Sequence, residues 1–189
     1  MEQALPPSTE VDWASLFGPS VMSKDVNLVD VAPLLKSKKY LGVYFSAHWC
    51  PPCRAFTPAL TAFYNQMKQR SPGEFEVLFV SFDHEQTAFR SYWDSMPWPA
   101  MPFQAAEGKR LSNAWGVQGI PSLVILETAT GRIVNYNAKS AVDSDPSGAQ
   151  FPWATDNKPS AGGNILHRLF SPLGLLIIFA IYMFFFRSS

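Results

Sequence analysis

Residues 40–54 read YLGVYFSAHWCPPCR and contain the strongest structural signals in the chain. The first seven residues, Tyr40 to Ser46, form a short apolar run that is typical of a buried strand. Two cysteines and two prolines follow where a helix is predicted to begin, and proline is favoured in the first turn of a helix. The stretch therefore predicts a buried strand that leads into a helix, with Cys50 and Cys53 at the junction.

The sequence on either side alternates between predicted strands and predicted helices. The helix after the cysteines runs to about Arg70, because Phe56, Leu60, Phe63 and Met67 recur at three- and four-residue spacing. This order predicts an α/β fold with a mixed β-sheet flanked by helices. The other predicted strands are 12–17, 25–29, 74–82, 122–127 and 132–136, and the other predicted helices are 30–35, 85–96 and 109–115.

Cys50 and Cys53 are the only two cysteines in the chain. A framework of several structural disulfides is therefore excluded, and a bridge across so short a loop removes little chain entropy. A zinc site needs two further ligands, and only His48, His84 and His167 remain as histidine candidates. We therefore interpret the pair as a redox-active disulfide and expect no metal and no organic cofactor.

Thiol–disulfide exchange needs an attacking thiolate and a second thiol that resolves the mixed disulfide. Cys50 is predicted to lie just before a helix, where free N–H groups and the helix dipole favour negative charge and lower the pKa of a thiol. Cys53 lies one turn inside and suits the resolving role. Pro51 and Pro52 restrict the intervening loop, and Trp49 is either a docking surface beside the sulfur or a packing residue.

Pro121 lies in Gly119-Ile120-Pro121-Ser122, immediately before a predicted core strand. A cis proline at this position would lie against the disulfide and offer backbone groups to a substrate. An isolated Ile-Pro pair before a strand is more often a simple turn. Beside the motif at Cys50 we favour the cis interpretation.

The C-terminal residues 165–189 are predicted to anchor the chain in a membrane, after a linker at 143–164. Leu169 to Phe186 contains no charged residue, and it is near the short end of the range of about 17–25 residues that span a bilayer. A buried core helix is the alternative, but such a helix needs a polar stripe. The N-terminus lacks a signal pattern, so we expect a tail anchor with a cytosolic domain, in the mitochondrial outer membrane or the ER.

The motif from Trp49 to Arg54 resembles the thioredoxin superfamily, and more narrowly its tryparedoxin and nucleoredoxin branch. Further matches are Met96 to Phe103 and Phe151-Pro152-Trp153. The resemblance extends from about Leu16 to Trp153 and implies a thioredoxin-like fold, with the domain assigned to residues 1–142. The formal net charge is zero, which gives no electrostatic support for a nucleic-acid partner.

The resemblance also implies an activity and a set of site residues. It implies a protein-disulfide oxidoreductase that passes electrons from a small dithiol such as trypanothione to peroxiredoxins or glutathione-peroxidase-type peroxidases, in peroxide detoxification. Asp83 is then the candidate for proton transfer with Cys53, because Tyr44 stands where thioredoxins carry a buried Asp. A helix cap is the alternative role for Asp83. The implied substrate-binding residues are Trp49, Pro51, Pro52, Arg54, Ile120 and Pro121.

Two positions depart from the family pattern. Phe82 stands where the family often has Trp, and Gln118 stands where it often has a Glu that helps to bind the positively charged dithiol. These departures affect the identity of the reductant and leave the oxidoreductase assignment in place. The alternative function is a membrane-tethered, nucleoredoxin-like redox sensor or adaptor.

Overall fold

The computed structural model describes residues 10–25 and 28–155, which belong to one compact unit. Twelve helices and strands occur in these residues. In chain order they are α1 Trp13–Phe17, β1 Ser20–Val21, β2 Val29–Asp30, α2 Val31–Lys36, β3 Tyr40–Ser46, α3 Pro51–Arg70, β4 Phe75–Ser81, α4 Gln86–Asp94, α5 Ala106–Ala114, β5 Ser122–Glu127, β6 Ile133–Asn135 and α6 Ala138–Ser144.

The central sheet has four strands in the order β4-β3-β5-β6. Strand β3 pairs in parallel with β4 and antiparallel with β5, and β5 pairs antiparallel with β6. The parallel pair needs a crossover, which helix α3 supplies. The mixed sheet with helices on both faces confirms the α/β prediction, and β3 and β5 have the predicted bounds.

Strand β3 is buried on both faces because helices cover both sides of the sheet. Tyr44 belongs to a core that also contains buried residues of α3, α4 and α6. Its neighbours Val43 and Phe45 point to the opposite core, which contains buried residues of α1, α2 and α5. Successive side chains of a strand alternate between faces, so a continuous apolar run is what a doubly covered strand requires.

The predicted strand at residues 12–17 is wrong, because this segment forms helix α1. Trp13 and Phe17 are four residues apart, so a helix places both on one face, and both are buried. Asp12 caps the helix by accepting a hydrogen bond from the Ser15 N–H at 2.9 Å. Residues 26 and 27 of the predicted strand at 25–29 lie outside the described residues; of the others, Val29 belongs to strand β2, which pairs with β1, whereas Asp25 and Leu28 do not belong to a strand.

The fold continues past residue 142, where the sequence analysis placed the end of the domain. Helix α6 runs to Ser144, and the ring of Phe151 packs 5.1 Å from that of Phe75, while Trp153 packs 4.9 Å from Phe63. Residues 143–155 are therefore part of the folded unit. The rest of the predicted linker and the predicted membrane anchor lie outside the described residues.

Among the described residues, no helix combines the length and the apolar character needed to cross a membrane. The longest described helix, α3, carries exposed polar side chains along one side.

Candidate active site

The Cys50–Cys53 pair lies at the N-terminus of helix α3, as predicted. Cys50 is the residue before the helix, and its Sγ accepts a hydrogen bond from the backbone N–H of Cys53 at 3.3 Å. The two sulfurs are bonded to each other, and the Cα atoms are 5.2 Å apart. Cys50 is 4% exposed and Cys53 is 0% exposed. A substrate can therefore approach only Cys50, while Cys53 lies beneath it.

The sulfur of Cys50 faces the loop before strand β5. The Ile120–Pro121 peptide bond is cis, which confirms the sequence-based interpretation. The carbonyl oxygen of Ile120 lies 3.8 Å from the Cys50 Sγ. Ala47, Phe82 and Ile120 surround the pair with apolar groups.

Trp49 lies on the surface beside Cys50, with 53% of the residue exposed. Its indole N–H donates to the Phe82 carbonyl oxygen at 2.9 Å. Its ring stacks on the His84 ring with centroids 5.7 Å apart and an angle of 9° between the planes. The indole is therefore a fixed, exposed plane next to Cys50, so the packing alternative is wrong, and the docking role stays a prediction.

Asp83 is buried just after strand β4, at 5% exposure. Its Oδ1 accepts from the backbone N–H of His48 at 2.7 Å, and its Oδ2 accepts from the Ser81 hydroxyl at 2.8 Å. The N-cap of helix α4 is Glu85, and no side chain caps it. The capping interpretation of Asp83 is therefore wrong. Its carboxylate fixes the loop between β3 and Cys50.

Beneath Cys53 lies a cluster of four buried hydroxyl groups that the sequence analysis did not identify. Tyr44 contacts the Thr57 hydroxyl at 2.9 Å and the Ser46 hydroxyl at 3.0 Å. Tyr92 contacts Thr57 at 2.6 Å and Ser46 at 3.0 Å, which closes the ring of contacts. The Thr57 hydroxyl also donates to the Cys53 carbonyl oxygen at 3.0 Å.

Burial raises the pKa of Tyr44 well above its usual value, so its hydroxyl stays protonated at neutral pH. Tyr44 stands where the resemblance implies that thioredoxins have an acid. The group in this position is therefore a neutral hydroxyl that bonds to other hydroxyls. A sequence signal for the cluster exists in part, since residues 44 and 46 share one face of a strand and Thr57 lies one helical turn after Cys53.

The remaining predicted binding residues lie at the start of helix α3. Pro51 and Pro52 are its first two residues, and both are exposed. Arg54 is also exposed, and its Nη1 donates to the His48 carbonyl oxygen. The site thus presents an indole, two prolines, a guanidinium group and the backbone at Ile120 around one accessible sulfur. Among the described residues, no group of three or more His, Cys, Asp or Glu side chains has the arrangement of a metal site.

Comparison with known proteins agrees with this geometry. Residues 38–133 match the sequence profile of a family described as thioredoxin-like, which is half of the chain. Tryparedoxin from Trypanosoma brucei brucei is 43% identical over 116 residues, which is 61% of this chain and 79% of that protein. Nucleoredoxin from Danio rerio is 42% identical over 115 residues, which is 60% of this chain and only 27% of nucleoredoxin.

Solved structures give the same result. The structure of tryparedoxin from Trypanosoma brucei matches with a TM-score of 0.67 and 38% identity, over 74% of this chain and 94% of that one. A structure of tryparedoxin II complexed with glutathionylspermidine matches with a TM-score of 0.65 and 37% identity, over 72% and 93%. The chain therefore belongs to the thioredoxin-like family, and its Cys50–Cys53 pair makes it a thiol–disulfide oxidoreductase of the tryparedoxin and nucleoredoxin kind.

Proposed function

We propose that this protein carries electrons from a small dithiol, such as trypanothione, to disulfides in partner proteins. The observation that carries the proposal is the N–H of Cys53 aimed at the Cys50 sulfur, at the N-terminus of a long helix. In the reduced protein the same N–H and the helix dipole stabilise a thiolate at Cys50. A solved relative holds glutathionylspermidine, a positively charged thiol, which supports a reductant of this class.

The exchange proceeds in two balanced steps. The Cys50 thiolate attacks one sulfur of the partner's disulfide, so the partner's S–S bond breaks, a mixed disulfide forms and the other partner sulfur leaves as a thiolate. Cys53 then loses its proton and attacks the Cys50 sulfur, which releases the second partner thiolate. The partner gains two electrons and two protons, and the Cys50–Cys53 disulfide is restored. A small dithiol then reduces that disulfide by the same two steps in reverse.

Asp83 is the group that we propose to exchange a proton with Cys53. Three features support this role: the carboxylate is buried, it is hydrogen-bonded to the backbone two residues before Cys50, and Tyr44 is kept neutral by burial. A neutral hydroxyl is a poor base, which leaves the carboxylate as the stronger acceptor beside the site. The variants described in the Discussion separate this role from the positioning role.

The partner proteins that we propose are peroxiredoxins or glutathione-peroxidase-type peroxidases, in the reduction of peroxides. The test is a coupled assay in which the protein reduces such a peroxidase with trypanothione, with glutathione or with thioredoxin reductase as the electron donor. We expect turnover with trypanothione, no turnover for Cys50→Ser, and a trapped mixed disulfide for Cys53→Ser. Full activity of Cys50→Ser, or no turnover with any donor, would refute the proposal.

A second function is a redox sensor or adaptor of the nucleoredoxin type. The 42% identity to nucleoredoxin favours it, since it is nearly equal to the identity to tryparedoxin. The two functions differ in turnover: an electron carrier passes through many cycles, whereas a sensor is oxidised once and stays so until its reductant returns. Counting moles of peroxidase disulfide reduced per mole of protein distinguishes them.

We also propose that residues 165–189 hold the domain at a membrane, with the domain in the cytosol and the mitochondrial outer membrane or the ER as the site. The support is the uncharged run from Leu169 to Phe186, with Arg168 before it and Arg187 after it. Full-length protein is expected in a membrane fraction that resists alkaline carbonate, and protein lacking residues 165–189 in the soluble fraction. Full-length protein in the soluble fraction would contradict the anchor.

A further inference from the structure

A groove of about 610 Å³ lies between helices α3 and α4 and begins beside the motif that carries Cys50. We call it the α3/α4 groove. At the end near the motif it is lined by His48 and Arg54, and along its walls by residues that include Asn65 on α3 and Ser91 on α4, with Tyr92 among its lining residues. None of the residues that line it carries a carboxylate.

The positive charge of Arg54 in this groove is not balanced by an acidic side chain of the described residues. Arg54 makes one hydrogen bond, to the His48 carbonyl oxygen, and no acidic side chain of the described residues lies within ion-pair distance of it. The other charged residues of α3 do have partners: Lys68 pairs with Glu76, and Arg70 donates to the carbonyl oxygen of Gly148. A guanidinium group has five N–H donors, so most of those on Arg54 are available to an anion.

The backbone of α3 adds a hydrogen-bond acceptor near the Arg54 side chain, namely the carbonyl oxygen of Arg54 itself. Pro58 lines the groove and lies inside the helix. Because proline has no N–H, the carbonyl of Arg54 lacks its ordinary helical donor. The side chains of Asn65 and Ser91 are exposed and make no hydrogen bond to the described residues. The groove therefore offers hydrogen-bonding groups suited to a polypeptide backbone, and one cation suited to an acidic side chain.

We propose that the α3/α4 groove binds the segment of a client protein that flanks the attacked cysteine, and that it favours segments with an acidic side chain. This proposal rests on the function proposed above. The geometry supports it because one end of the groove is formed by residues on either side of Cys50, so a polypeptide whose cysteine meets that sulfur has its adjoining residues near Arg54. The groove also borders the buried hydroxyl cluster, because Thr57 and Tyr92 both line it and their hydroxyls are hydrogen-bonded.

The test uses synthetic peptides of one sequence whose single cysteine is joined to thionitrobenzoate as a mixed disulfide. Glu, Gln or Lys is placed two to five residues before or after the cysteine. The value of kcat/KM for each peptide is obtained from the rate at which thionitrobenzoate is released. Each kcat/KM value is divided by the value that the same protein gives with hydroxyethyl disulfide, a small neutral substrate that does not extend into the groove.

We expect the wild-type protein to prefer the Glu peptide over the Lys peptide by roughly threefold or more at one of these positions, as for a partly exposed ion pair. Ala62→Trp fills the groove from an exposed position of α3 and is expected to bring the ratio near one. Ser91→Glu places an anion on the opposite wall and is expected to reverse the preference. Thr87→Glu adds the same charge one turn earlier on α4, outside the groove, and is expected to keep it.

The outcomes separate this inference from the function on which it rests. If the wild-type protein reduces hydroxyethyl disulfide but shows no Glu-over-Lys preference at any position, the groove proposal is overturned and the oxidoreductase activity stands. The groove proposal is also overturned if Ser91→Glu and Thr87→Glu give the same ratio. If hydroxyethyl disulfide itself is not reduced, the proposed function fails first.

Discussion

Replacing Asp83 tests how the loop before Cys50 is held in place. Asp83→Ala removes two hydrogen bonds at once, the one from the His48 N–H at 2.7 Å and the one from the Ser81 hydroxyl at 2.8 Å. Ser81 is partly exposed, so its hydroxyl can turn to water, whereas the His48 N–H loses a charged acceptor. Loss of a hydrogen bond to a charged group costs about 1.5–3 kcal/mol, so we expect about 2–3 kcal/mol in the free energy of unfolding.

The loss is measurable in two ways. Urea unfolding followed by circular dichroism reports the free energy directly, and for a chain of this size each kcal/mol lowers Tm by about 2–4 °C. Asp83→Asn keeps one carbonyl oxygen that can accept from His48, so it is expected to lose less than half as much stability as Asp83→Ala. If Asp83→Ala unfolds within about 0.5 kcal/mol of the wild type, a value typical of ordinary surface substitutions, the positioning argument is wrong.

The same two variants test the proton-transfer role of Asp83. An amide cannot take a proton from Cys53, so the proposal expects Asp83→Asn to resolve a mixed disulfide at Cys50 as slowly as Asp83→Ala does. Rapid mixing with a peptide in mixed disulfide with thionitrobenzoate, across pH 5 to 9, separates attack by Cys50 from resolution by Cys53. Resolution by Asp83→Asn at the wild-type rate across that range would show that the carboxylate serves only to position the loop.

Three further changes have expected outcomes. Hydrogen bonds from the Gln150 backbone N–H and the Trp153 indole lower the pKa of the Asp145 carboxyl below its ordinary value of 3.8, so the stability that this carboxylate contributes is complete above that pH and decreases as the pH falls below it. Asp145→Asn should therefore lower Tm more at pH 7 than at pH 3, and an equal loss at both would contradict the argument. Tyr44→Phe removes its contacts to the buried hydroxyls and should cost about 1–2 kcal/mol in urea unfolding, whereas a neutral result would mean that the cluster adds no stability. Gly42→Ala places a Cβ 2.9 Å from the Phe75 ring and should cost about 1–3 kcal/mol, whereas an unchanged unfolding midpoint would show that the ring moves freely.

The central part of the fold could be predicted because its local signals agree with the tertiary structure. Strand β3 is a continuous apolar run and is buried on both faces, and helix α3 has an apolar stripe and prolines at its first two positions. The cis bond before Pro121 was predicted from its place beside the cysteine motif. In these segments several local signals point to the same structure.

Short elements with few buried residues were assigned wrongly or missed. Helix α1 buries only Trp13 and Phe17, and a five-residue segment of this kind is also compatible with a strand. Helix α6 buries only Ala138 and Val142, so its polar composition indicated the approach to a linker. In each helix the two apolar residues are four positions apart, so they share one side of the helix and pack against the sheet. Helix α1 packs on one face of the sheet and helix α6 on the other, and the local sequence does not show that the sheet is there to cover them.

In the site too, the features formed by residues close in sequence could be predicted, and those formed by residues far apart in sequence could not. Cys50 and Cys53 are only three residues apart in sequence, so their geometry follows from the start of one helix. The hydroxyl cluster joins Tyr44 on a strand to Thr57 and Tyr92 on two helices, and the α3/α4 groove joins the same helices. The contact between Thr57 and Tyr92 spans 35 positions and depends on how the two helices pack, so no spacing in the sequence predicts it.

The pKa of the Cys50 thiol in the reduced protein decides whether this residue is the attacking thiolate. In the Cys53→Ser variant Cys50 is the only thiol, so its rate of alkylation by iodoacetamide as a function of pH gives its pKa. We expect the midpoint of this curve to lie clearly below about 8.5, the ordinary value for a cysteine, because the N-terminus of α3 stabilises the thiolate. A midpoint at or above the ordinary value would contradict the assignment of Cys50 as the attacking group.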